Sequence, residues 1–63
     1  MNMDLKEFRV NKKLKKNEIA KIIGVSASYY YKIESGYQNP SFDFLRKLKK
    51  AYPKISIDKM FFK

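Results

Sequence analysis

The chain has no cysteine and no histidine among its 63 residues. Without cysteine there can be no disulfide framework and no thiolate metal site, and without histidine the usual imidazole ligand and general base are missing too. The six acidic residues are scattered along the chain, and no nucleophile has a base nearby. The sequence therefore predicts no metal, no cofactor, no small-molecule ligand and no enzymatic activity.

Long apolar runs and flexible segments are scarce as well. No stretch of about 18 apolar residues could span a bilayer. Residues 1–10 carry four charged side chains, which the core of a signal peptide would not tolerate. We therefore expect a cytoplasmic protein with no membrane association. With two glycines, two prolines and no repeat or polar linker, residues 1–63 are expected to form a single domain.

Positive charge is what the chain has in excess. Fifteen lysines and arginines against six acidic residues give a formal net charge of +9. Nucleic acid, an anionic membrane face and an acidic protein all suit that sign. No helix combines a long apolar face with a basic one, which disfavours a membrane surface. The aromatic-studded sheet and the glycine loop of common RNA-binding modules are also missing, which disfavours RNA.

Hydrophobic periodicity predicts helices and no strand. Apolar residues at helical spacing indicate a first helix over residues 5–13, a second over 17–23, a third over 26–35, a fourth from 41 to about 51 and a fifth from 56 onward. Gly24 is expected to end the second helix because only glycine takes a positive φ at little cost. Ser26 and Ser41 are preferred N-cap residues. The fold class expected is all-α, with five helices around one core.

The second and third predicted helices carry a helix-turn-helix pattern. A small residue, Ala20, lets the second helix of a crossed pair approach closely, and Gly24, four residues later, permits a sharp turn. Val25, Tyr30 and Ile33 are spaced to fill the wedge between the two helices. Successive residues on a helix point about 100° apart, so the run of three tyrosines at 29–31 cannot form one stacking platform. Tyr30 is expected to point inward and to bring its hydroxyl to water or a partner.

With these residues the chain resembles the Cro/repressor-type family of helix-turn-helix transcription regulators, also called the XRE family. The resemblance covers nearly the whole chain, and it rests on Leu5, Phe8, Arg9, Leu14, Ile19, Ala20, Ile23, Gly24, Val25, Ser26, Ile33, Glu34, Gly36, Asn39, Pro40, Ser41, Leu45, Leu48, Ser56, Ile57 and Asp58. It implies a compact five-helix, lambda-repressor-like DNA-binding domain. In such a domain the third helix enters the major groove of double-stranded DNA and the second lies across the backbone.

The resemblance also implies which side chains contact DNA. Those facing base edges would be Ala27, Ser28, Tyr29 and Lys32. Those contacting the DNA backbone would be Lys16, Asn17, Tyr31, Tyr37 and Asn39. Among the base-facing set, Lys32 can donate to guanine O6 or N7, Ser28 can donate or accept, and the Ala27 methyl can lie against a thymine methyl.

Five further positions match or depart from the family pattern. Arg9 and Glu34 correspond to a family ion pair, and a bidentate, partly desolvated pair can fix the recognition helix on its scaffold. The family usually caps its second helix with Ser or Thr, whereas Lys15 and Lys16 stand there in this chain, so that side-chain cap is lost. Lys13 occupies a position that is often glycine in the family.

The end of the chain suggests a dimer. Four large apolar residues fall within the last seven, more than one short helix needs to bury: Ile57, Met60, Phe61 and Phe62. This surplus predicts a two-fold homodimer contact, which would hold the two recognition helices about 34 Å apart, one turn of DNA. A second basic cluster, Arg46, Lys47, Lys49 and Lys50, is interpreted as complementing the dipole of the fourth helix and aiding solubility.

The function expected from this pattern is a sequence-specific, double-stranded DNA-binding transcription regulator. Repression by occupying an operator is the simplest mechanism for it. One alternative stays open, an antitoxin-like protein-interaction module that neutralises an acidic partner and binds DNA secondarily.

Overall fold

A computed structural model describes residues 3–61 and contains five helices and no strand in that range. The helices are α1 (Met3–Asn11), α2 (Lys16–Ile23), α3 (Ala27–Glu34), α4 (Phe42–Ala51) and α5 (Ile57–Phe61). The predicted all-α class is thereby confirmed, with helix bounds within about two residues of those expected from the hydrophobic spacing.

Local side-chain chemistry sets most of the helix ends. Ser26 Oγ accepts a hydrogen bond from the backbone N–H of Tyr29 at 3.1 Å, and Ser41 Oγ accepts from that of Phe44 at 3.0 Å. These bonds satisfy amide groups that a helix N-terminus otherwise leaves without partners. Gly24 ends α2 in the left-handed conformation, with φ +97°, and its N–H donates to the Ala20 carbonyl at 2.8 Å.

The start of α2 is capped by a side chain inside the helix and not by that of the N-cap residue. Lys15 stands at the N-cap, and its ammonium group has no acceptor to offer the helix amides. Instead, the Glu18 carboxylate accepts a hydrogen bond from the Lys15 backbone N–H at 2.7 Å. This is one half of a capping box, and it puts a negative charge at the positive end of the helix dipole. The loss of a serine or threonine cap is thus partly compensated by Glu18.

Lys13, in the connection between α1 and α2, has a left-handed backbone with φ +58°. Its N–H donates to the Val10 carbonyl at 2.9 Å, so the chain turns sharply just after α1. This conformation costs a residue with a Cβ atom about 1–2 kcal/mol. The frequent glycine at this position in the family has the same physical origin.

The core is shared by the first four helices and the segment before α5. Its buried apolar residues are Leu5, Ile19, Ala20, Ile23, Tyr30, Ile33, Phe44, Leu48 and Ile55. Helix α2 packs against both α3 and α4, and α1 also contacts α3. Helix α5 adds only half-buried side chains to the edge of this core. As a result α3 is packed on its inner side by α1 and α2.

Candidate nucleic-acid interface

Helix α3 has one face inside the protein and one outside. Tyr30 and Ile33 are buried in the core, at 0% and 2% exposure. Three of the residues predicted to face DNA bases, Ala27, Ser28 and Lys32, are exposed. The helix therefore presents short and basic side chains outward while large apolar side chains fix it from behind.

Tyr30 anchors this helix deep in the core. Its ring lies 6.4 Å from the ring of Phe44, centroid to centroid, on α4. The hydroxyl is buried beside the Glu34 carboxylate. Burial raises the pKa of this hydroxyl, and the nearby Glu34 carboxylate raises it further. Tyr30 consequently acts as a large neutral core residue.

Arg9 and Glu34 join α1 to the end of α3. Arg9 Nε donates to Glu34 Oε2 at 2.9 Å and Nη2 donates to Oε1 at 3.2 Å, in a bidentate arrangement. The third nitrogen, Nη1, donates to the Leu14 carbonyl at 2.8 Å. Both side chains are largely buried, at 12% and 5% exposure.

The protonation of this pair follows from its surroundings. Burial by itself would raise the pKa of the Glu34 carboxyl, but hydrogen bonds from Arg9 outweigh burial and hold that pKa below its usual value. The hydrogen bonds to Glu34 likewise raise the pKa of Arg9. Both groups are therefore charged at neutral pH, and the end of α3 is held to α1 by a charge-assisted contact.

Tyr29 differs from the other three predicted base contacts. It is half-buried, with its ring 5.8 Å from that of Phe44 in an edge-on arrangement. Its hydroxyl donates to Ser41 Oγ at 3.0 Å, the same oxygen that caps α4. Tyr29 therefore links α3 to the first turn of α4, and its contact with bases stays a prediction.

The predicted backbone contacts lie at two places. At the start of α2, Asn17 is exposed and the Lys16 ammonium nitrogen lies 4.3 Å from the centre of the Tyr31 ring on α3. After α3, Tyr37 and Asn39 are exposed, Tyr37 at 81%. The backbone N–H of Tyr37 donates to the Lys32 carbonyl at 2.9 Å and so fixes the loop to the end of α3.

A comparison with protein families decides what this arrangement is. A family model described as "Helix-turn-helix" matches residues 5–60. The chain belongs to the helix-turn-helix family, in its Cro/repressor, or XRE, type. It is thus a DNA-binding regulator, with α2 and α3 as the two helices of the motif. No match to this helix-turn-helix protein was found among curated proteins or among solved structures.

The apolar C-terminal residues of this helix-turn-helix regulator are only partly covered. Ile57, Met60 and Phe61 are half-buried and pack against the edge of the core. The fourth residue of the predicted dimer contact, Phe62, lies outside the described residues. Within residues 3–61 no helix is both long enough and apolar enough to cross a bilayer.

Two features of the regulator were not predicted from the sequence, namely a contact made by Lys47 and the exposure of Phe42. The Lys47 ammonium nitrogen lies 3.5 Å from the Gly24 carbonyl at the turn of the motif, whereas the sequence indicates only that its cluster complements the dipole of α4 and aids solubility. Phe42 is 80% exposed at the first position of α4. The apolar residues that share one face of α4 begin at Phe44, and Phe42 lies beside that face. The spacing therefore gives only a weak indication that Phe42 is exposed.

Proposed function

We propose that this regulator binds a specific sequence of double-stranded DNA by inserting α3 into the major groove, and that it represses transcription by occupying its operator. The observation that carries the proposal is the outward exposure of Ala27, Ser28 and Lys32 on a helix whose inner face is fully buried. A helix fixed in this way can offer side chains to base edges in a constant orientation.

The proposed base contacts follow from the chemistry of each side chain. Lys32 donates to guanine O6 or N7, and Ser28 donates to or accepts from a base edge. The Ala27 methyl lies against a thymine methyl. Tyr29 borders this set through its hydroxyl, which is already hydrogen-bonded to Ser41. Lys32 provides the strongest base preference of the four.

The proposed backbone contacts orient the protein on the duplex. Lys16 is at the first position of α2, and its ammonium group can pair with a phosphate. Asn17 lies beside it, Tyr31 contributes through the ring that holds the Lys16 ammonium, and Tyr37 and Asn39 contact phosphates from the loop after α3. Such contacts carry no sequence information by themselves. They make the affinity fall as the salt concentration rises, because counterions are released from DNA on binding.

The proposed functional unit is a homodimer on a two-fold site. Ile57, Met60 and Phe61 are apolar and only half-buried, which supports a contact between two copies through α5, with Phe62 added from beyond the described residues. Two recognition helices about 34 Å apart would contact successive major grooves on one side of the duplex. Sedimentation of the free and DNA-bound chain tests the stoichiometry.

Selection of bound sequences from random DNA tests the proposal directly. We expect enrichment of a two-fold site that binds about a thousandfold more tightly, or more, than scrambled DNA at the same salt concentration. Equal affinity for selected and scrambled duplexes would reject the sequence-specific reader. That outcome would favour the alternative of a protein-interaction module that binds DNA secondarily.

A further inference from the structure

A groove between α4 and α5 takes no part in the proposed DNA contacts. It has a volume of about 560 Å³, and its apolar lining comes from Phe42, Leu45 and Ile57. Phe42 is 80% exposed, and the other two are half-buried. Single exposed apolar residues are ordinary on a protein surface. Here exposed Phe42 and two half-buried apolar residues line one concave surface, which we call the α4–α5 groove.

The edge of the α4–α5 groove is positively charged. Arg46, Lys49 and Lys50 complete its lining. Lys49 Nζ donates to the Ile55 carbonyl at 2.8 Å, so its ammonium is held at the link to α5 while its methylene groups lie along the groove. Arg46 is bonded to Asp43 at 2.7 Å in a solvent-exposed pair, which water and a competing carboxylate can replace. The groove is thus apolar inside and cationic outside.

The apolar lining that α4 gives to the groove lies on the side of the helix away from the helix-turn-helix. On α4, the Lys47 side chain approaches the Gly24 carbonyl at the turn between α2 and α3. Leu45 and Lys49 are each two residues from Lys47, so they lie about 200° away from it around the helix. A partner in the groove would therefore leave the exposed face of α3 open to DNA.

We propose that the α4–α5 groove binds an acidic amphipathic segment of a partner protein. The apolar side of such a segment packs on Phe42, Leu45 and Ile57, and its carboxylates face Arg46 and Lys50. The cationic edge formed by Arg46, Lys49 and Lys50 selects an acidic occupant by charge. Of the apolar groove residues, only Ile57 also belongs to the proposed contact between copies through α5, so the two occupants would compete at that residue. The proposal is independent of the DNA contacts.

The first test uses a designed peptide and the full chain. The probe is a synthetic peptide of about 15 residues, long enough for several helical turns, with leucine at helical spacing and glutamate elsewhere. Its counterpart carries lysine in place of glutamate. We expect amide chemical-shift changes confined to α4 and α5 with the acidic peptide, and affinity lower by about tenfold or more for the lysine peptide. No binding, or shifts centred on α3 that indicate a mimic of DNA phosphates, would overturn the proposal.

Variants with matched controls complete the test. Phe42→Gln and the double variant Arg46→Glu with Lys50→Glu should each weaken peptide binding by about tenfold. Val10→Gln, at an exposed apolar residue of α1, and Lys6→Glu, at an exposed lysine of the same helix, should leave it unchanged. Phe42→Gln should melt like the parent, because its side chain is largely in solvent. Should Phe42→Gln abolish self-association in a sedimentation run, the groove would be the contact between copies, and the acidic partner would be rejected.

Discussion

The ammonium nitrogen of Lys16 lies 4.3 Å from the centre of the Tyr31 ring. Lys16 is the first residue of α2 and Tyr31 lies in the middle of α3, so this contact joins the two helices of the motif on the outer side. Cation–π contacts at such exposed sites contribute about 0.5–1 kcal/mol. Contact with the Tyr31 ring restricts the Lys16 ammonium, which otherwise moves freely at the end of a flexible four-carbon side chain.

Replacing Tyr31 should test whether it positions Lys16. We expect Tyr31→Leu to weaken binding to selected and scrambled duplexes alike, by about 0.5–1 kcal/mol, and Tyr31→Phe to bind like the parent. Lys16→Ala should weaken all sequences equally and lower the salt slope by about one. Fluorescence anisotropy over a salt series measures all three. If Tyr31→Phe is as weak as Tyr31→Leu, the hydroxyl itself contacts a phosphate and the positioning role is wrong.

Lys32 should behave differently from Lys16. Because it is the cationic residue of the proposed base-facing set, Lys32→Ala is expected to cost about 1–3 kcal/mol on the selected site and to relax preference at one base pair. Lys6→Ala, at an exposed lysine of α1, is the matched control and should retain that preference. A repeated selection with each variant gives the readout. Unchanged base preference in Lys32→Ala would remove this residue from the base contacts.

The Arg9–Glu34 pair should contribute stability rather than base preference. Glu34→Ala leaves the Arg9 guanidinium largely buried without its carboxylate, and breaking a buried pair in this way costs about 3–5 kcal/mol. Asp43→Ala removes the carboxylate of exposed pairs with Arg46 and Lys47 and should cost much less. Urea unfolding compares the two variants. Equal stabilities would show that burial adds nothing to the Arg9–Glu34 contact.

The same pair should make stability depend on pH in the acid range. The pKa of Glu34 is lower in the folded chain than its ordinary value of 4.5, so the unfolded chain binds the proton more readily. The stabilisation from this group is therefore complete above pH 4.5 and is lost as the pH falls through the lower, folded value. The free energy of unfolding of Glu34→Gln should depend less on pH below pH 4.5 than that of the parent chain. Asp43→Asn is the control, because the pKa of the Asp43 carboxyl is also lowered.

Lys13→Gly should stabilise the fold. Glycine removes the cost of a left-handed Cβ-bearing residue, about 1–2 kcal/mol, but it adds about 0.4–1 kcal/mol of backbone entropy to the unfolded chain. A net gain of about 0.5–1 kcal/mol is therefore expected from the positive φ at this residue. Lys13→Ala removes the same charge and keeps the Cβ atom, so it should show no gain. Equal melting temperatures for the two variants would contradict a backbone origin.

Features that depend on one residue, or on residues a few positions apart, were predictable from the sequence. Gly24 adopts the positive φ that its residue type permits at the end of α2, and the Ser26 and Ser41 hydroxyls cap the helices that follow them. These features depend on contacts within a few residues. Membership of the helix-turn-helix family follows from the same local pattern, because its apolar spacing brings α2 and α3 together.

Features that depend on distant parts of the chain could not be predicted in the same way. Tyr29 turns toward Ser41 because α4 lies beside α3, and no spacing within α3 indicates this. Lys47 approaches Gly24 across more than twenty residues of sequence. The exposure of Phe42 likewise depends on the position of α5 beside α4, since Ile57 of α5 lines the same groove. The contacts and exposure of each of these side chains depend on how whole helices pack against one another.

The three donors of Arg9 bring together parts of the chain that are far apart in sequence. Two of its nitrogens hold the Glu34 carboxylate and the third holds the Leu14 carbonyl, so one planar group fixes both the recognition helix and the lysine-rich connection ahead of α2. A lysine there could neutralise the carboxylate, but it has no planar fork to reach both partners. Because one guanidinium holds both, any movement of α3 on DNA binding would be transmitted to the lysine-rich connection ahead of α2.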